Sequence, residues 1–191
     1  MNKIISAVSG LVLIFLSSQV SAYSYAAAGK EPVIDGREAI LTALSTQDYA
    51  VVASEIGKLS DELDYLKKEH NVDLQSDFDS AIAAKDASKI TTLLDTAVYE
   101  EIIRRLDGAQ ANLNDYQIAK VLVVKSKLFL DLIAPKLDDE SRTQSTKAIS
   151  GLLKSIGNPG VFGVGQAPAD PDMFTSERAK LLQALSEFET Q

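Results

Sequence analysis

The sequence predicts an all-α protein: an up-and-down antiparallel helical bundle of four to five main helices after a cleaved signal peptide. Ala, Leu, Lys, Glu and Asp are abundant, Trp is absent, and Gly and Pro are sparse in the middle of the chain, which favours helices over strands. Apolar residues recur at spacings of three and four over much of the chain. The connections between helical segments are short, so consecutive helices are expected to be antiparallel neighbours.

The first 22 residues have the pattern of a signal peptide. Lys3 is the only charged residue before Lys30, and residues 4–16 form an apolar stretch that is interrupted only by small residues. Val20 and Ala22 match the small-residue pattern that signal peptidase accepts. The apolar stretch is shorter than the roughly 20 residues of a membrane-spanning helix. We therefore expect cleavage near Ala22, or alternatively near Ala26, export to the periplasm or outside the cell, and no membrane insertion afterwards.

After the signal peptide, residues 23–34 are predicted to be a poorly ordered arm and residues 35–191 a single helical-bundle domain. Asp35 and Glu38 have the spacing of a capping box, which predicts a short helix over 36–44. A heptad pattern then predicts one long helix over 47–70 that packs lengthwise on a neighbour. The apolar residues of this pattern are Tyr49, Val52, Ile56, Leu59, Leu63 and Leu66.

The remaining helices follow from periodicity and capping residues. A shorter helix ends near residue 85, and the next, over 87–106, carries Ile90, Leu94, Val98 and Ile102 on one face. Asn114 or Asp115 caps a helix whose inward face is predicted to be Ile118, Leu122, Phe129 and Leu132. Asp138 or Asp139 begins a helix to about 156, a glycine-containing loop covers 157–171, and a last helix over about 175–188 begins at Thr175.

A short internal similarity precedes two of the predicted helices. Ala43-Leu44 before Gln47-Asp48 resembles Ala81-Ile82 before Lys85-Asp86. Duplication of a helical hairpin would produce this similarity, and so would ordinary helix-capping chemistry. The match is too short to establish a repeat, so we favour the capping explanation.

Composition excludes several functional classes. The formal net charge is −8 at pH 7, and cleavage removes Lys3 as well, so the mature protein is acidic. Binding to nucleic acid or to anionic lipid requires concentrated Lys and Arg, so neither is expected. The chain has no cysteine. Disulfides, thiol catalysis, zinc–thiolate sites and iron–sulfur clusters are therefore excluded.

The sequence offers no recognisable catalytic or cofactor motif. His70 is the only histidine, and neither a zinc-binding H-E-x-x-H motif nor a G-x-S-x-G elbow is present. No catalytic residue and no cofactor is predicted, although a metal ion is possible at His70 with Glu69 and Asp73. The alternative, which we favour, is a helix-terminal histidine that interacts with the last carbonyls of its helix.

Charged residues interrupt the apolar faces of two predicted helices. Glu101 and Arg105 lie on one of these faces and Lys125 on the other. Because isolated buried charges are costly, Glu101 and Lys125 are candidates for an internal ion pair or for a polar pocket that binds an acidic or metal-bound ligand. Alternatively, their long side chains extend from the edge of the seam to water.

Aromatic and charged residues of the kinds found in protein interfaces are concentrated between residues 99 and 120. This cluster contains Tyr99, Glu100, Arg104, Arg105, Tyr116 and Lys120. In the glycine-containing loop, Phe162 either closes one end of the bundle or is offered to a partner.

These observations favour a non-enzymatic binding or adaptor protein that contacts another exported protein through a surface of the bundle. A homo-oligomer is possible through the heptad pattern. The alternative is a periplasmic carrier that holds a metal ion or small ligand in the internal polar pocket, and an enzyme that uses carboxylates ranks third.

Overall fold

The computed structural model describes residues 31–160 and 164–189. This part of the chain contains eight α-helices and no strand, which confirms the predicted all-α class. The helices are α1 (Pro32–Ser45), α2 (Tyr49–Lys58), α3 (Ser60–His70), α4 (Leu74–Ala83), α5 (Ala87–Ala111), α6 (Tyr116–Ile133), α7 (Asp139–Ser155) and α8 (Pro171–Ala184). None of these helices combines the length and the apolar composition that a membrane crossing needs. The predicted signal peptide, residues 23–30 of the predicted arm, and Phe162 lie outside the described residues.

Helix α5 is the centre of the fold. It contacts α1, α3, α4, α6 and α8, and each of its residues from 93 to 102 is buried. The predicted face of Ile90, Leu94, Val98 and Ile102 is fully buried. Because neighbours cover the other faces as well, three acidic residues of α5 are also buried, namely Asp95, Glu100 and Glu101.

Aspartate side chains cap six of the helices. In each case the carboxylate accepts a hydrogen bond from a backbone N–H of the first turn, which satisfies a donor that the helix itself leaves unpaired. The capping residues are Asp48, Asp73, Asp86, Asp115, Asp138 and Asp170. An aspartate at these positions also places negative charge at the positive end of the helix dipole.

Two predicted helix starts are wrong. Asp35 lies inside the first turn of α1, which begins at Pro32, and Thr175 lies inside α8, which begins at Pro171. Proline is well suited to the first helical position because the N–H that it lacks has no partner there. These prolines therefore mark the starts more reliably than the capping residues that follow them.

The predicted long helix over 47–70 is divided at Leu59. The backbone of Leu59, at φ −92° and ψ 7°, ends α2 and precedes α3. Asp61 and Glu62 lie in the first turn of α3, where acidic residues favour a new helix start. The heptad residues other than Tyr49 are nevertheless buried, and Leu59 packs against Gly36 of α1.

The two similar sequences before α2 and α5 form turns of the same geometry. Gln47 and Lys85 have φ of 57° and 53°, and the N–H of the aspartate after each donates to the carbonyl five residues before it, at 2.9 Å in both turns. The two turns are also in contact, because the Tyr49 hydroxyl donates to the Lys85 carbonyl at 2.8 Å. This shared geometry is what capping chemistry produces, and a duplicated helical hairpin would produce it as well.

Helix α6 is rotated relative to the predicted orientation. Of the four residues predicted to face inward, only Phe129 is fully buried, whereas Ile118, Leu122 and Leu132 are half-buried. The buried residues of α6 are Ala119, Val123, Ser126, Phe129, Leu130 and Ile133. Small residues at 119 and 126 allow a close approach to the neighbouring helix. A pattern of hydrophobic residues alone does not indicate that these small residues face inward.

The left-handed turn before α5 generates a prediction about stability. Because Lys85 has a positive φ, Lys85→Gly should relieve backbone strain and increase the free energy of unfolding by about 0.5 to 1 kcal/mol after the entropy cost of glycine is subtracted. Lys89→Gly, a change inside α5, should instead cost about 1 kcal/mol. Chemical denaturation measures both values, and destabilisation by Lys85→Gly would contradict the prediction.

Candidate functional site

Five charged side chains form a chain of ion pairs between α1, α5 and α6. Lys125 Nζ lies 2.8 Å from Glu31 Oε1, and Arg105 donates both to Glu31 and to Glu101. Arg104 Nη2 lies 2.6 Å from Glu101 Oε2. We call this set the charge network. Positive and negative groups alternate along it, so each carboxylate lies between two cations.

Three local features position the network. Glu31 is the residue before the first turn of α1, and Glu101, Arg104 and Arg105 lie within one turn of α5. Lys125 comes from α6. The network therefore connects the start of α1 to the central helix and to α6.

Aromatic rings cover both guanidinium groups. The Arg105 guanidinium carbon is 4.1 Å from the centroid of the Phe129 ring, and that of Arg104 is 5.0 Å from the centroid of the Tyr65 ring. A ring face attracts a cation and excludes water from it. Phe129 is fully buried, so Arg105 lies between an apolar ring and the two carboxylates that neutralise it.

Burial changes the proton affinities in the network. Glu101 is only 1% exposed, and its burial raises the pKa of its carboxyl group against the opposing charge and hydrogen bond of Arg105. Burial, and then the charge of Arg105, lowers the pKa of Arg104 to about 9. Arg104 is therefore still a cation at neutral pH. Among the described residues, no donor forms a hydrogen bond to Glu101 Oε1.

The structure brings the three predicted interior charges together, but with a different pairing. Lys125 pairs with Glu31 rather than with Glu101, and Arg105 connects the two carboxylates. The sequence did not indicate Glu31 because it lies in the segment predicted to be a poorly ordered arm, 70 residues before Glu101. Its place directly before Pro32, at a helix start, is the one local signal that could have identified it.

A second buried ion pair on α5 was not predicted. Asp95 is buried and accepts a hydrogen bond from Arg37 of α1 at 3.0 Å, and Lys136 also pairs with it. Lys136 belongs to the short 3₁₀ turn Ala134–Lys136 after α6. The sequence pattern places Asp95 beside the apolar face of α5, but it does not show that neighbours cover α5 on its other faces.

The remaining residues of the predicted interface cluster divide between interior and surface. Tyr99 is only 4% exposed, and burial together with the nearby carboxylates of Glu189 and Glu100 raises its pKa to about 12. Tyr116 is half-buried, and Lys120 is exposed with its Nζ 5.5 Å from the Tyr116 ring. In this cluster, the two residues of α6, Tyr116 and Lys120, are the ones that reach solvent.

The predicted metal ligands lie around the turn between α3 and α4. His70 is half-buried at the end of α3, with its ring 6.0 Å from that of Tyr65, and Glu69 is exposed. Asp73 is 2.6 Å from Lys67 Nζ and caps α4. The part of the chain that the structure describes contains no group of three or more His, Cys, Asp or Glu residues arranged to hold a metal ion.

An exposed apolar surface follows the outer face of α6. Val124 and Leu128 are 40% and 48% exposed, and Leu132 lies one turn further along. We call these three residues the α6 stripe. Leu132 also lines a cleft of about 480 Å³ together with Ile34 and Leu41 of α1. The α6 stripe therefore leads into an apolar cleft. The inward face that the sequence predicts for α6 gave no indication of this exposed surface.

Comparisons of this chain with protein-family models, with curated proteins and with solved structures found no match.

The raised pKa of Glu101 generates a prediction about pH. The folded protein binds the proton of the Glu101 carboxyl group more tightly than the unfolded chain does. The contribution of this group to the free energy of unfolding is therefore fully present below pH 4.5 and decreases as the pH rises toward the folded pKa. Glu101→Gln cannot titrate. The free energy of unfolding of the wild type minus that of the variant should therefore decrease as the pH is raised above 4.5.

Chemical denaturation over this pH range measures that difference. The exposed Glu69→Gln variant is the control for the general effect of removing one carboxylate. If the advantage of the wild type over Glu101→Gln increased with pH, the direction of the shift assigned to Glu101 would be wrong.

Proposed function

We propose that this chain is an exported, non-enzymatic binding or adaptor protein that contacts another exported protein through an up-and-down helical bundle. The α6 stripe is the observation that carries the proposal. Val124 and Leu128 are large apolar side chains that lie one turn apart and are about half exposed. A helix that presents neighbouring apolar residues to solvent next to an apolar cleft is typical of a protein-binding surface.

The chemistry around the stripe defines the kind of partner that fits. Helix α6 contains three lysines, Lys120, Lys125 and Lys127, and one acidic residue, Asp131. Glu31 and Asp131 pair with two of these lysines, which leaves Lys120 beside the Tyr116 ring. The surface therefore suits an amphipathic helix of the partner, with apolar residues at helical spacing and a carboxylate at its edge.

The charge network supports this function by fixing the position of α6. Lys125 is partly exposed, and its ion pair with Glu31 connects α6 to the start of α1. Phe129, one turn after Lys125 on α6, packs against Arg105 of α5. A rigid helix loses little conformational freedom when it binds, so more of the contact energy contributes to affinity.

A carrier of a metal ion or small ligand is the second candidate. The Oε1 atom of Glu101 favours it, because a buried carboxyl oxygen that has no donor among residues 31–160 and 164–189 is an available ligand atom. The other groups of the network already neutralise each other, so a ligand would have to displace an existing pair. A carrier should show a thermal shift with its metal or ligand, whereas an adaptor should not.

Export generates the first prediction of this proposal. The protein recovered from the exported compartment should begin near Tyr23, which intact-mass measurement determines. Ala22→Arg places a large cation where signal peptidase requires a small side chain, so the precursor should accumulate uncleaved. Gly29→Arg, a change after both expected cleavage sites, is the control. Recovery of the full-length chain outside the cytoplasm would contradict cleavage.

The α6 stripe generates the second prediction of this proposal. A photo-crosslinking amino acid at position 128, introduced in the exporting cell, should form a covalent adduct with a different exported protein, identified by mass spectrometry. Position 51 is the matched control, because Val51 is 42% exposed on α2, outside the stripe. Leu128→Glu should weaken binding of the identified partner by roughly tenfold or more, whereas Val51→Glu should not.

Adducts of equal yield at positions 51 and 128 would contradict a defined surface on α6. Adducts at position 128 that contain only this chain would assign the stripe to a homo-oligomer.

A further inference from the structure

The groove between α7 and α8 concentrates positive charge on an acidic protein. Its volume is about 560 Å³, and three lysines line it, Lys147 and Lys154 from α7 and Lys180 from α8. Glu177 is the acidic residue among the lining side chains. The chain as a whole has a net charge of −8, so this groove has the opposite sign.

The floor of the groove is built from small residues. Ala148 and Gly151 of α7 are buried there, and the Glu177 side chain lies directly over Gly151. A Cβ atom at Gly151 would lie 2.6 Å from the carboxyl carbon of Glu177. Glycine therefore makes room for this carboxylate, which pairs with Lys180 at 2.6 Å.

The two lysines of α7 have no ion-pair partner among the described residues. They are seven residues apart, so their Cα atoms are separated by about 10.5 Å along the helix, on either side of Gly151. The hydroxyls of Thr146 and Ser150, which also line the groove, already donate to backbone carbonyls. The ammonium groups of Lys147 and Lys154 are thus the lysine charges of the lining that are not paired with a carboxylate of the described residues.

This arrangement fits two separate carboxylates better than a dense polyanion. An extended peptide in the polyproline II conformation has three residues per turn and rises about 3.1 Å per residue, so carboxylates three residues apart lie on the same side and are separated by about 9 Å. Glu177 between the lysines repels a third negative charge but tolerates an uncharged residue, and the half-buried Met173 offers an apolar contact.

We propose that the groove between α7 and α8 binds an extended acidic peptide segment whose two carboxylates, three residues apart, pair with Lys147 and Lys154. This site is separate from the α6 stripe in its residues and in its chemistry, and it does not depend on the function proposed for the stripe.

The test uses a short blocked peptide with two glutamates three residues apart in a Gly/Ala background. It is titrated into the isotope-labelled mature protein at low ionic strength while backbone amide shifts are recorded. Shifts should concentrate on α7 and α8. Lys147→Gln/Lys154→Gln should weaken binding by roughly tenfold, because two exposed charge pairs are lost. Lys85→Gln/Lys89→Gln is the control with the same change of charge on exposed lysines.

Two further comparisons test the geometry. An isomeric peptide with adjacent glutamates should bind several-fold more weakly, because it cannot contact both lysines. Gly151→Ala should also weaken binding without a change of net charge, because the added methyl group displaces Glu177 into the groove. The far end of a side chain can move at little cost, so this variant should fold.

Three results would overturn the proposal: equal weakening by the two lysine pairs, equal affinity for the two peptides, or tighter binding of inorganic polyphosphate than of the peptide at α7 and α8. The last would assign the groove to a dense polyanion instead. Each of these results would leave crosslinking at position 128 unaffected, so the outcomes for the groove and for the stripe are distinguishable.

Discussion

The burial of α5 on every side is the constraint on which the rest of the structure depends. A helix that is covered over ten consecutive residues has no face on which to expose its polar side chains, so Asp95 and Glu101 are inside. An unpaired buried charge costs several kcal/mol, so each of these carboxylates needs a cation. Neighbouring elements supply Arg37 and Lys136 to Asp95, whereas Arg105 of α5 itself pairs with Glu101 and also with Glu31 at the start of α1. The acidic residues of α5 therefore determine how its neighbours must be placed.

Helix α1 shows this effect most directly. Its two ion pairs with α5 come from Glu31, the residue directly before the helix, which pairs with Arg105, and from Arg37 in its first half, which pairs with Asp95. The two pairs have opposite polarity, because α1 contributes the acid in one and the base in the other. A shift of α1 along its axis would bring like charges together, so electrostatics fix its register more specifically than apolar contacts do.

The sequence predicts the local features of this protein well and its three-dimensional partners poorly. The all-α class and the buried heptad residues followed from periodicity, because it records which residues avoid water. The break at Leu59, the rotation of α6 and the role of Glu31 did not follow. Each depends on residues distant in the chain: Leu59 packs on Gly36, and Glu31 pairs with Arg105. For the candidate site, periodicity identified Glu101, Arg105 and Lys125 as interior charges but could not show which groups pair.

The difference between local pattern and distant contacts also explains why the residues that looked most functional in the sequence are chiefly structural. A charge within an apolar face attracts attention, yet Glu101 and Arg105 are almost inaccessible and serve to connect helices. Once such charges satisfy each other, recognition falls to side chains that the interior does not use. On α6 those are Val124 and Leu128, which are exposed because Val123, Phe129 and Ile133, together with smaller residues, occupy the inner face. The packing that buries one set of apolar residues of a helix thus leaves a second set exposed on its outer side.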